Sequence, residues 1–145
     1  MAYNIFIDAD LILDVLLKRE GFYKDSYATF ILSEENDINL YSSSSIILNV
    51  QYIGSRMSSD KKIIPSTIYY LLENFIDIIN PTKQTILKAY DSDYKDYEDA
   101  VQYFTAKDSG IIDYFVTRNV KNCAGVTTGT PLFSFLWSLT FLVTK

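Results

Sequence analysis

Short apolar runs of strand length alternate along this chain with longer segments whose apolar residues recur every three to four positions. Tyr3–Ile7 reads as a strand, rich in Ile and Phe, and Leu11–Leu17 as a short helix ended at Gly21-Phe22. Residues 23, 27, 30 and 31 are spaced for a helix over Tyr23–Glu35. After the Asn36-Asp37 turn signal, Ile38–Tyr41 reads as a second strand, and Ser42–Ser45 offers N-caps for a helix over residues 45–57. A polar break at Ser58–Lys62 precedes a helix with Pro65 in its first turn and Ile68, Leu71, Leu72 and Phe75 as its apolar stripe. Asp77–Asn80 is a brief third strand stopped by Pro81, and Lys83–Tyr90 is helical. The acidic loop Asp91–Asp96 leads into a helix over Glu98–Ser109, which Gly110 ends, and Tyr114–Thr117 is a fourth strand. Leu132–Val143 is apolar without clear periodicity and is assigned to a final helix.

Strands alternating with helices imply βαβ units, hence an α/β fold with a parallel sheet covered on both faces. There is no internal repeat, low-complexity tract or linker, so residues 1–145 read as one domain. Of the 145 residues, 48% are hydrophobic and 21% charged, enough apolar material for one core. The formal net charge of −5 argues against a plain electrostatic nucleic-acid binder, although a bound metal inverts the local sign at an acidic site. A chain with one cysteine and no histidine has no internal disulfide, no imidazole metal site and no Ser–His–Asp or Cys–His catalysis. No basic, apolar leader is visible at the N-terminus, and Leu132–Val143 falls short of the roughly 20 residues needed to span a membrane. These features suggest a cytoplasmic protein with no membrane association.

The chemistry concentrates in Ile5-Phe6-Ile7-Asp8-Ala9-Asp10, where an apolar run ends abruptly in acid. Ligands of open α/β sheets bind beyond the carboxyl ends of the strands. Asp8 at that edge, Asp10 two residues on, and Asp96 and Asp99 at the start of the late helix suit a hard divalent cation held by oxygen. Asp8 and Asp99 are expected to converge, because strand ends and following helix starts share one edge. A structural reading competes with this one: Asp96-x-x-Asp99 also fits an N-cap with an acid favouring the helix dipole. Asp8 has fewer structural excuses, since unpaired charge is costly to bury.

Ile5–Asp14, Leu16–Glu20, Ser45–Asn49, Asp96–Gln102 and Val116–Asn119 follow one another in an order that, taken together, resembles the PIN-domain family of metal-dependent nucleases, many of which are toxins of bacterial toxin–antitoxin pairs. The resemblance implies a three-layer α/β/α sandwich around a parallel sheet of four or five strands. It implies an endoribonuclease acting on single-stranded or loop RNA, with Mg²⁺ or Mn²⁺ as cofactor, an antitoxin protein as partner and homodimers as in many relatives. By the same resemblance Asp8 is the central metal ligand, Asp99 a second, and Asp96 an additional acid, with Asp10 a supplementary carboxylate. Thr117, Arg118 and Asn119 match the polar motif after the fourth strand, which supports the site and meets phosphate.

The chain departs from the family pattern at three positions. Asn49, counted with Asp8, Asp99 and Asp96 in the catalytic set, stands where many members carry a glutamate on the third helix and the most similar subgroup often has Asn. Asn119 replaces a common acid, and Asp10 stands where Asn or a neutral residue is common. The segment from Cys123 matches poorly. Two alternatives follow. One is a PIN-fold module that binds RNA or antitoxin but is catalytically weak. The other is a haloacid-dehalogenase-like phosphatase, which Asp8-Ala9-Asp10 imitates, although Leu11-Ile12 follows where that family wants Thr.

Overall fold

A computed structural model of the chain describes residues 2–35 and 38–118, together with the backbone of 140–143. The elements run β1 (Tyr3–Ile7), α1 (Ala9–Leu16), α2 (Tyr23–Glu34), β2 (Ile38–Ser42), α3 (Ser44–Met57), α4 (Ile63–Asn74), β3 (Ile76–Ile78), α5 (Lys83–Tyr90), α6 (Tyr97–Asp108), β4 (Tyr114–Thr117) and β5 (Thr140–Val143). The strands form one sheet in the order β3-β2-β1-β4-β5. The first four are parallel and β5 is antiparallel to β4. Helices flank the sheet as an α/β/α sandwich, the architecture expected from the alternating pattern.

β1 is the central strand, which is why its sequence is an apolar run rather than an alternation. Ile5, Phe6 and Ile7 are all buried, because helices cover both faces of a parallel sheet. Phe6 stacks on Phe115 of β4 with ring centroids 5.7 Å apart. Leu11, Ile12 and Leu13 of α1 and Ile46 and Val50 of α3 complete this core. Gly54 marks the close approach of α3 and α4, since a Cβ there would lie 3.2 Å from Ile64. Gly110 takes the left-handed conformation (φ 71°) that ends α6 and turns the chain toward β4.

Two expectations need correction. The third strand is Ile76–Ile78 rather than Asp77–Asn80, because Leu40, Tyr41 and Ser42 of β2 pair with Ile76, Asp77 and Ile78. The end of the apolar C-terminal segment is a strand and not a helix. Thr117 pairs with Thr140 and Tyr114 with Val143. Thr-Phe-Leu-Val is β-branched and aromatic, and β4 without it would leave a row of backbone groups unpaired at a sheet edge.

The chain runs from β1 outward through β2 to β3 and then crosses back to place β4 on the other side of β1. The crevice between the carboxyl ends of β1 and β4 is therefore the topological switch point, where α/β sheets place their ligands. Asp8 follows the last residue of β1, and Thr117 is the last of β4.

Candidate active site

Asp8 sits where β1 gives way to α1. Its backbone is extended (φ −82°, ψ 165°), and its N–H donates to the Val116 carbonyl at 3.2 Å, prolonging the β1–β4 ladder by one bond. Oδ1 accepts from the Ala9 N–H at 2.6 Å, so Asp8 is also the N-cap of α1, a structural duty its sequence context did not suggest. Oδ2 accepts from the Thr117 hydroxyl at 3.0 Å. Burial is the largest influence on this carboxyl and pushes its pKa from 3.8 up to about 6. The Ala9 and Thr117 hydrogen bonds pull the other way, and the charges of Asp99 and Asp10 push it further up.

Asp99 lies in the first turn of α6, half-buried, and its field reaches Asp8. The tertiary fold therefore brings the first acid of the chain and the start of the late helix to one place. Asp96 is exposed, and its Oδ1 accepts from the Asp99 N–H at 3.1 Å, which makes it the N-cap of α6. Asn49, on α3, donates from Nδ2 to Glu98 Oε1 at 3.3 Å. Below that contact the Ser43 hydroxyl donates to Gln102 Oε1 at 2.7 Å, and Gln102 Nε2 donates to Ser45 at 3.0 Å. Ser43 also caps α3 by accepting from the Ile46 N–H. The sequence reading missed Glu98 and Gln102. The sequence signal that would have identified the second is a glutamine inside the otherwise apolar stretch Ala100–Tyr103.

Asp10 follows another course. Its Oδ1 lies 3.2 Å from Arg19 Nη1 and 3.4 Å from Arg118 Nη2. Arg118 also approaches Asp14, with Nε 3.0 Å from Oδ2, close enough for an ion pair though not aligned for a hydrogen bond. Asp14 is fully buried and accepts from the Ser26 hydroxyl at 2.9 Å. Burial raises its pKa above 3.8, against the pull of Ser26, Arg118 and Arg19. Thr117 is buried, and Asn119 lies outside the described residues.

Among the described residues, no group of three or more His, Cys, Asp or Glu side chains is gathered in metal-binding geometry. A smaller donor set still fits Mg²⁺ or Mn²⁺. Mg²⁺ is usually held by one or two carboxylates, with waters or substrate phosphate completing its octahedron. Asp8 and Asp99 are the residues that could supply such carboxylates, since both offer oxygen donors and a cation would relieve the repulsion that Asp99 exerts on Asp8. No described helix is long and apolar enough to cross a membrane.

A family model described as PIN domain matches residues 4–121, and the chain belongs to that family. Ribonuclease VapC1 of Aquifex aeolicus is 32% identical to it over 112 residues, which span 74% of this chain and 76% of that protein. The crystal structure of VapC20 of Mycobacterium tuberculosis, a sarcin–ricin-loop-cleaving toxin, shares the fold with a TM-score of 0.60. That likeness covers 77% of this chain and 86% of the other at 11% identity. These relationships set the chain among VapC-like PIN domains and remove the haloacid-dehalogenase-like alternative.

Proposed function

We propose that this protein is a divalent-metal-dependent endoribonuclease, the toxin of a toxin–antitoxin pair, that hydrolyses phosphodiester bonds in single-stranded or loop RNA. The observation that supports the reading is a partly buried Asp8 carboxylate beyond the end of β1, held by Thr117 of β4 and within the electrostatic reach of Asp99. Asp8 and Asp99 would hold the cation, Mg²⁺ or Mn²⁺. When bound, it would lower the pKa of a water and stabilise charge on the phosphoryl oxygens. Thr117 and the Ala9 N–H fix both oxygens of Asp8 before any ligand arrives, so no reorganisation is needed at the moment of reaction. Asp96 serves chiefly by capping α6 and so seating Asp99. Asn49 steadies Glu98 beside it. RNA and a cognate antitoxin are the partners, homodimerisation is the expected assembly, and the cytoplasm the expected location.

The test is cleavage of a panel of structured RNAs with Mn²⁺ by the wild type, Asp8→Asn and Asp99→Asn. Cutting by the wild type that either substitution abolishes supports the reading. Equal cutting by all three sinks it.

A second reading rests on Asn49, whose amide pairs with Glu98 instead of adding a carboxylate. In this reading the chain is a catalytically weak PIN module that binds RNA or antitoxin. Calorimetry separates the two, because absence of Mn²⁺ binding at millimolar metal favours the weak module.

A further inference from the structure

Among the described residues, Asp10, Asp14, Arg19 and Arg118 form a cluster of ion pairs tied to Ser26 and Phe22. Arg118 follows β4 directly and matches a motif expected to meet phosphate. Its guanidinium, however, is engaged on several sides by the protein itself. Phe22 covers one face, with its ring centroid 3.9 Å from the guanidinium carbon. Nε faces Asp14 at 3.0 Å and Nη2 faces Asp10 at 3.4 Å. The side chain is only 16% exposed, and Asp14 is 0% exposed. The loop that delivers Phe22 and Arg19 is bent for the purpose. Lys18 and Gly21 both take positive φ, the Arg19 N–H donates to the Asp14 carbonyl, and the Phe22 N–H donates to that of Arg19.

We propose that Asp14 and Arg118 form a positioning clamp for Asp8, rather than Arg118 serving as an RNA contact. Asp14 anchors the guanidinium, and the guanidinium anchors the backbone at the end of β4. The residues just before Arg118 hold Asp8 twice, through the Val116 carbonyl on its N–H and the Thr117 hydroxyl on Oδ2. An arginine suits this duty because its planar fork reaches two carboxylates at once, which a lysine ammonium on a flexible stem does not. Partners that orient a metal-binding side chain typically change metal affinity or activity roughly 10–100-fold when removed. The role in metal binding rests on the nuclease reading, whereas the mechanical link from Asp14 to Asp8 does not.

The test uses the full chain with Arg118→Lys, Arg118→Met, and the double variant Asp14→Leu with Arg118→Met. The double variant replaces the buried pair with apolar groups and so keeps a folded reference even if a lone buried charge unfolds the single variant. In metal-free protein, hydrogen exchange at the Asp8 and Ala9 amides should quicken about ten-fold, while Ile46 in α3 and Val101 in α6 keep their protection. Mn²⁺ binding by calorimetry should weaken roughly ten-fold, and cleavage of an RNA stem-loop that the wild type cuts should lose kcat at unchanged KM. Arg118→Lys should recover little of either. Unchanged exchange at Asp8, or uniform acceleration at all four amides, overturns the clamp. So does a raised KM with a shallower salt dependence and intact Mn²⁺ binding, which marks a phosphate contact. If the wild type neither binds Mn²⁺ nor cuts RNA, the nuclease reading fails, and the exchange experiment still decides the clamp.

Discussion

The Thr117 hydroxyl donates to Asp8 Oδ2 at 3.0 Å across 109 positions of sequence, joining the ends of the two neighbouring strands that bracket the switch point. That bond favours the charged form of Asp8, which burial opposes. Thr117→Val keeps the shape but removes the donor. Asp8 should then titrate higher still, and Mn²⁺ affinity near neutral pH should fall about ten-fold. Thr117→Ser should restore both. Carboxyl-carbon NMR and calorimetry provide the two readings.

The raised pKa of Asp8 has a definite consequence for stability. The folded protein holds this proton to about pH 6, whereas the unfolded chain releases it near 3.8. The native state is therefore favoured by Asp8 protonation below pH 3.8, and this contribution is lost as pH rises through about 6. It is worth at most about 3 kcal/mol. In EDTA, Asp8→Asn should melt higher than wild type at pH 7, and the difference should shrink toward pH 4. Thermal melts at several pH values check it, and a difference that grows toward acid contradicts the assignment.

Metal should reverse that penalty. A cation that binds only the folded state at a hundred times its dissociation constant adds about 2.7 kcal/mol. Mn²⁺ should raise the wild-type melting temperature at pH 7.5, and Asp8→Asn and Asp99→Asn should abolish the increment. Because the proton competes for Asp8, the increment should fade below pH 6.

Asp96 separates capping from ligation. Asp96→Asn keeps an acceptor for the Asp99 N–H and should retain both stability and cleavage. Asp96→Ala should cost about 1 kcal/mol in denaturant unfolding. A large loss of Mn²⁺ affinity in Asp96→Asn would instead make this carboxylate a ligand.

Gln102 ties α6 to the start of α3 through Ser43 and Ser45. Gln102→Leu removes a partner from the buried Ser43 hydroxyl and should destabilise by about 1–3 kcal/mol. Urea unfolding monitored by circular dichroism measures this.

The local chemistry of the chain determined the elements and their order. Ile5-Phe6-Ile7 is continuously apolar because a central parallel strand is covered on both faces, and that pattern marks β1 without any structure. Gly110 ends α6 because only glycine readily takes the required positive φ. The acid after β1 was conspicuous for the same reason, since charge beside a buried run is costly. Tertiary structure decided what each acid does. Asp8, Asp10 and Asp14 are one residue type within one short segment, yet they become a raised, doubly held carboxylate, a partner of two guanidiniums and a buried anchor, whereas the cap made by Asp96 is local and was legible in Asp96-x-x-Asp99. Which role falls to which depends on distances to Thr117, Arg19, Arg118 and Ser26, groups remote along the chain or displaced by a turn. The same limit explains the C-terminal segment. Thr140–Val143 has no period of its own to identify it, and becomes a strand because the open edge of β4 supplies the hydrogen-bonding partners.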